Sequence, residues 1–83
     1  MSHSNHVAAR ARLSAIRSDA ARTQAKLARL HRECSERRQR TGDDDSRVVG
    51  MLRTIERLTT ELDKLNRAEA SIMLALSENE HVA

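Results

Sequence analysis

An all-α fold, an antiparallel hairpin of two long coiled-coil-like helices, is what this sequence predicts. Three observations predict it. Among 83 residues there is no Trp, Tyr, Phe or Pro, so a half-buried sheet lacks its usual aromatic side chains and no proline interrupts a helix. Two long stretches repeat apolar residues on an alternating three–four spacing, the mark of helices packed side by side. Between them lies Thr41-Gly42-Asp43-Asp44-Asp45-Ser46, a run of poor helix-interior residues that turn or cap well.

The first helix is predicted over about residues 5–40, with Ser2, Ser4 or Asn5 available to cap it. Its heptad a and d positions are His6, Ala9, Leu13, Ile16, Ala20, Thr23, Leu27, Leu30 and Cys34. The turn follows at about 41–46. Gly42 suits the left-handed conformation that closes a helix, and Asp45 or Ser46 can accept hydrogen bonds from the first free N–H groups of the next one. The second helix is predicted over about 46–78, with seam positions Val48, Met51, Ile55, Leu58, Leu62, Leu65, Glu69, Ile72 and Leu76. Residues 79–83 are expected to fray. The whole, 1–83, reads as a single helical-hairpin domain.

The heptad phase runs through the turn unbroken, so one long parallel rod is the competing architecture. It would place Thr41 and Asp44 in its seam, with Gly42 and two more aspartates alongside, a weak point for any helix. The hairpin has the better arithmetic. Pairing residues whose numbers sum to 85 centres the fold on Gly42/Asp43 and sets Cys34 against Met51, Leu30 against Ile55 and Leu27 against Leu58. Further out it sets Leu13 against Ile72 and Ala9 against Leu76. Charge agrees: the chain through Arg40 carries ten basic and three acidic residues and the remainder five and nine, giving +7 and −4 within a net +3. Opposite charge favours folding one arm on the other, although an exposed pair contributes only about 0.2–1 kcal/mol. Lys26 and Glu61 are expected to flank the seam as partners.

Two helices alone bury little, and chains this small usually need staples or association. The second helix carries extra apolar residues beside its seam: Val49, Leu52, Ala68, Ala70, Met73 and Ala75. Of these, Leu52 and Met73 are the expected dimer or partner edge. Val7 and several alanines add to the first helix, where the alanines also simply favour helix. A homodimer of hairpins forming a four-helix bundle, or docking onto a partner protein, would cover these residues.

Several function classes drop out. No stretch approaches the length of a membrane span, and Met1-Ser2-His3-Ser4-Asn5-His6 lacks the basic and apolar segments of a secretory signal. One cysteine cannot make an intramolecular disulfide and fits a reducing compartment, so a cytoplasmic location is expected. Thirteen of the 15 basic residues are Arg, the bias of a GC-rich coding sequence such as those of bacteria and phages.

The polar features point to recognition rather than chemistry. His31 and Cys34 share a helix face, but zinc needs about four ligands, and Cys34 reads as a small core residue. His3, His6 and His81 would gather at the open end, which reads as solvated. No metal, cofactor, small-molecule substrate or catalytic residue is expected, because long helices offer no preorganised pocket and no Gly-rich phosphate loop exists. Glu69 occupies a seam position nominally opposite Ile16, with Arg12, Arg17 or Asp19 near enough to affect it. It reads either as a polar residue fixing register or as a carboxylate reaching water at a splayed end.

Arg10, Arg17, His31 and Arg38 fall on one heptad edge of the first helix, Arg22, Arg29 and Arg32 lie on its outer side, and Arg37, Arg38 and Arg40 cluster by the turn. This basic face suits an acidic protein partner, or phosphates of a nucleic acid. Against nucleic acid stand the lack of aromatic residues to stack on bases and the aspartates beside the densest arginines. The bland alternative is a solvated charged face. The expected function is a non-enzymatic interaction module, an adaptor, inhibitor or regulator that binds another protein. A small basic nucleic-acid-binding regulator is the alternative.

Overall fold

The computed structural model describes the backbone from Ser2 to Val82 and the side chains from His6 to Glu78. Helix α1 (Ser2–Thr41) and helix α2 (Ser46–Val82) pack against each other in a body measuring 60 × 15 × 14 Å. At about 1.5 Å of rise per residue, one helix of this length spans about 60 Å and an unbroken rod would span twice that. The chain therefore doubles back, and the rod is excluded.

The reversal is built from the residues of the turn signal. Gly42 has φ +87°, a left-handed conformation that costs a residue with a Cβ but not glycine. Its N–H donates to the Arg38 carbonyl at 2.9 Å, closing the last turn of α1. At the other side Asp45 caps α2. Its carbonyl accepts the Val49 N–H at 3.1 Å, and its carboxylate Oδ1 accepts the Arg47 N–H at 2.8 Å, satisfying one of the donors a helix start leaves free. Of the two caps the sequence offers, Asp45 is the one used. Arg37 Nε donates to the other oxygen of Asp45 at 2.9 Å, so the cap is also tied back to α1.

The Asp45 carboxyl is held down at about 2. The Thr41 hydroxyl contributes most, then the Arg47 N–H, then Arg37, with partial burial opposing. That hydroxyl has a single proton and donates it to the Arg37 carbonyl at 2.9 Å. The bonds from Arg47 and Arg37 are therefore the ones whose geometry secures the anion.

The seam follows the heptad. Every a and d residue from His6 to Cys34 and from Val48 to Leu76 is buried or half-buried, while most other described side chains are exposed. Depth is uneven along it. Leu27, Cys34, Val48, Ile55 and Leu58 form a buried cluster with Leu30, Met51 and Leu62 packed against it. These are the residues that the 85-sum register brings together near the turn. Toward the open end only Leu13 is buried, and Ile16, Leu65, Ile72 and Leu76 are half-covered. Each fully covered aliphatic side chain contributes about 1.5–3 kcal/mol, so cohesion is concentrated in the closed half.

Three expectations are corrected. Helix α1 begins at Ser2 and includes Thr41, rather than spanning 5–40. Helix α2 continues to Val82 instead of ending at 78, because the stretch from Glu78 to Val82 contains no Gly or Pro to stop it. Lys26 and Glu61 line one groove but are not among the ion pairs of the described residues. Asp19, Arg22 and Lys64 line the same groove, so five flexible charged side chains share that space, and Asp19 is bonded by Arg22. The capping side chains expected at Ser2, Ser4 or Asn5, and His3 and His81 of the expected histidine group, lie outside the described side chains.

Candidate interaction surfaces

The predicted assembly seam (Leu13, Ile16, Leu27, Leu30, Met51, Ile55, Leu58, Leu62, Leu65, Ile72 and Leu76) is taken up by the hairpin itself. What remains for recognition lies on the flanks of that seam. Leu52 and Met73, the predicted edge of α2, are 43% and 48% exposed. Both occupy heptad position e, three heptads apart, so they lie on one side of the hairpin.

The basic residues of α1 do not form one face. Arg10, Arg17 and Arg38, with His31, follow the same side as Leu52 and Met73, where they line grooves between the helices. Arg22, Arg29 and Arg32 are exposed elsewhere on α1. Arg22 bonds Asp19 within its own helix, and Arg29 reaches Glu33 at 4.0 Å. The arginines beside the turn are engaged too: Arg37 with Asp45 at 2.9 Å and Arg38 with Asp43 at 2.8 Å. Asp43 raises the already high pKa of the Arg38 guanidinium by hydrogen bonding and attraction. The aspartates thus neutralise part of the densest arginine cluster.

Glu69 resolves one of the sequence ambiguities. Of Arg12, Arg17 and Asp19, it is Arg17 that bonds it, Nε to Oε2 at 2.7 Å, with the Glu69 side chain 32% exposed. The contact lies one residue from the Ile16 layer that the 85-sum register assigns to Glu69. A terminal nitrogen of Arg17 also lies 3.6 Å from Met73 Sδ. One guanidinium therefore links the polar seam position to the apolar edge.

Cys34 is a buried thiol in the core cluster, and His31 beside it is exposed. Among the described residues no group of three His, Cys, Asp or Glu side chains could hold a metal ion. His6 Nε2 is buried without a hydrogen-bond partner among the described residues. No helix of the described residues is long and apolar enough to cross a membrane.

The two sides of the helix pair differ in chemistry. On one side a groove of about 750 Å³ is lined by Asp19, Arg22, Lys26, Glu61 and Lys64 above Thr23 and Leu65, so opposite charges alternate there. The other side carries a groove of about 440 Å³ near the turn, with Arg38 and Leu52 on its walls. Nearer the open end the same side carries one of about 400 Å³ bearing Arg10 and Arg17, adjoined by one of about 250 Å³ bearing Met73.

Sequence reasoning missed Leu74. It is 61% exposed, more so than Val7 at 59%, and it sits on the outer face of α2, away from the seam. Its signal was the uncharged run Ala70-Ser71-Ile72-Met73-Leu74-Ala75-Leu76-Ser77, which is apolar around much of the helix and so exceeds what one seam can cover. Comparison with protein-family models, curated proteins and solved structures finds no match to the chain.

Proposed function

We propose that the chain is a non-enzymatic helical interaction module, a small adaptor, inhibitor or regulator that binds another protein and pairs with itself into a four-helix bundle. One observation carries this reading. The hairpin exposes 6484 Å², whereas a compact monomer of 9.4 kDa exposes roughly 5,000 Å². The excess exceeds the roughly 800 Å² that each partner buries in a standard interface. Val7, Leu52, Met73 and Leu74 are among its apolar members, and exposed apolar surface of this kind favours association. Leu52 and Met73 adjoin arginines and suit a partner. Leu74, on the outer face of α2, suits self-association.

Sedimentation equilibrium tests the pairing. A dimer mass at tens of micromolar, reduced toward monomer by Leu74→Asp, is the expected result, and a monomer at every concentration removes the bundle. The partner class is tested by titrating labelled duplex and single-stranded DNA and RNA at physiological salt. No binding is expected. Binding that weakens steeply with added salt would instead establish the nucleic-acid reading, for which the exposed Arg22, Arg29 and Arg32 would supply phosphate contacts.

A further inference from the structure

The seam does not lose its phase at the turn. Arg37, the last d position of α1, and Val48, the first a position of α2, are 11 residues apart, with Thr41 and Asp44 holding the a and d places between them. A closed hairpin needs no such match, because the two arms are joined by a loop. A straightened chain does need it, since only then do the seams of both arms face one side. The break in the helical ladder is also short. The Gly42 N–H still makes a helical bond, to the Arg38 carbonyl at 2.9 Å, and the Asp45 carbonyl accepts the next, from Val49 at 3.1 Å. Among the described residues Gly42 alone has a positive φ, +87°, and the turn holds no proline to bar it from a helix.

We propose that two copies of the chain exchange arms. Each straightens through the turn into one continuous helix and lies antiparallel on the other, so that α1 of each copy packs against α2 of its partner. The two-fold axis of the pair passes between Gly42 and Asp43. Its length is about 120 Å at about 1.5 Å of rise per residue, twice the 60 Å of the hairpin. This form goes beyond the four-helix bundle proposed above, which is made of closed hairpins, and it does not use Leu52, Met73 or Leu74.

The seam itself picks the occupant. In the closed chain the register pairs residues whose numbers sum to 85, and the exchanged pair sets the same residues together across two copies. The buried cluster of Leu27, Cys34, Val48, Ile55 and Leu58 is then built twice, with α2 supplied by the partner each time. That complement belongs to this chain, so the occupant is a second copy. Charge selects the antiparallel order. It lays the arm of charge +7 on the arm of charge −4, whereas parallel order sets the two basic arms side by side. The Arg17–Glu69 pair, which joins the arms in the hairpin, has the same partners available between copies.

The two forms differ at the turn. The closed form keeps the Asp45 cap on the Arg47 N–H at 2.8 Å and the Arg37–Asp45 and Arg38–Asp43 ion pairs. The exchanged form gives up that cap and sets Asp44 in the seam opposite Thr41, but it completes the helical ladder and leaves no free N–H groups at a second helix start. At low concentration the closed form prevails, because its arms are tethered to each other. The exchanged form gains as concentration rises. It carries two copies of every outer surface along one rod, so self-association and bivalent presentation of those surfaces arrive in one step.

The test uses the full chain, refolded at a few micromolar and at hundreds of micromolar, with mass read by sedimentation and length by small-angle X-ray scattering. A hairpin monomer is expected at the lower concentration and a dimer about 120 Å long at the higher. Gly42→Ala strains the closed turn and favours the straight helix, so it should lower the dimer dissociation constant about thirtyfold or more, because both chains gain. One alanine inserted between Asp43 and Asp44 turns the seam of one arm about 100° from that of the other in a straight chain. It should weaken the long dimer about tenfold or more, while the CD melt at low concentration stays within a few degrees of the parent, since a hairpin accepts a longer loop. A whole inserted heptad of alanines restores the phase and should restore the dimer. A monomer at every concentration for both the chain and Gly42→Ala would overturn the proposal. So would a dimer only as long as the hairpin, or a long dimer indifferent to the single inserted alanine. Rapid disulfide cross-linking through Cys34, which faces Met51 in antiparallel order, would overturn it by showing parallel chains. A dimer of hairpin length that Leu74→Asp dissociates would leave the four-helix bundle standing with the exchange gone.

Discussion

The closed and open halves of the hairpin share one heptad pattern and differ in how well it is filled. Near the turn, α1 presents Leu27, Leu30 and Cys34, and α2 presents Val48, Met51, Ile55 and Leu58, and most of these are buried. Toward the termini, α1 presents Ala9, Leu13, Ile16, Ala20 and Thr23, and α2 presents Leu65, Glu69, Ile72 and Leu76, of which Leu13 alone is buried. Small residues and a carboxylate in the seam leave less to cover and less to cover it with. A heptad therefore sets which side of a helix faces its neighbour, but side-chain volume sets how firmly the two hold. The firm half anchors the fold, and the loose half leaves its apolar residues available to another chain.

The sharpest way to break this contrast is to cut equal volume from each half. Leu58→Ala, at a side chain only 7% exposed, should cost about 2–5 kcal/mol, enough to unfold much of a small hairpin in a thermal melt followed by circular dichroism. Leu76→Ala, in a half-exposed layer, should cost about 1 kcal/mol or less, since half-covered carbon loses correspondingly less transfer energy. Equal losses would mean that the open half is as well packed as the closed one.

Gly42→Ala is the next largest effect. Space is not the obstacle, since nothing lies within 4 Å of an added Cβ. The obstacle is φ +87°, where a residue with a Cβ pays about 1–2 kcal/mol. A lower melting temperature with unchanged helical content at 5 °C is expected. Gly42→Asn should recover part of the loss, because Asn tolerates that conformation better. If Gly42→Ala melts like the parent chain, the closed end does not depend on the left-handed residue.

Acid should act on the closed end through Asp45. Its carboxyl in the folded chain lies at about 2, below its ordinary value, so the unfolded chain binds the extra proton first. The stabilisation is complete above about pH 5 and drains away as pH falls toward 2. Melting temperature should fall across that window, and Asp45→Asn should both lower it at neutral pH and flatten the acid limb. An acid limb unchanged by that substitution would show that the cap is not what couples this turn to pH.

Much of this architecture was legible in the chain. The period of three and four placed every seam residue, since burial in a helix pair depends on angular position alone. The turn could be read because Gly42 and Asp45 do local jobs that few other residues do as well. The partner of Glu69 could be narrowed to three side chains but not chosen, because the reach of a long arginine depends on the rotation and separation of two helices. The split of the arginines into a groove set and an outer set followed from the heptad letters. Leu74 lies outside the three–four spacing, and only the uncharged run around it, apolar over more of the helix than one seam covers, points to it.

Gly50→Ala should give the smallest effect, and in the opposite direction. Gly50 sits inside α2 in the closed half, with open space around an added Cβ and no positive φ. Glycine in a helix interior is worth about 0.5–1 kcal/mol less than alanine, because it gives up more backbone freedom on folding. Thr54 Oγ1 donates to the Gly50 carbonyl at 3.1 Å, a bond that the substitution leaves in place. Melting temperature should therefore rise by a few degrees, and hydrogen exchange should slow most for amides of the closed half. If exchange slows equally along both helices, the two halves open together as one unit. If it slows only near the turn, the loose end opens independently, as its sparse packing implies.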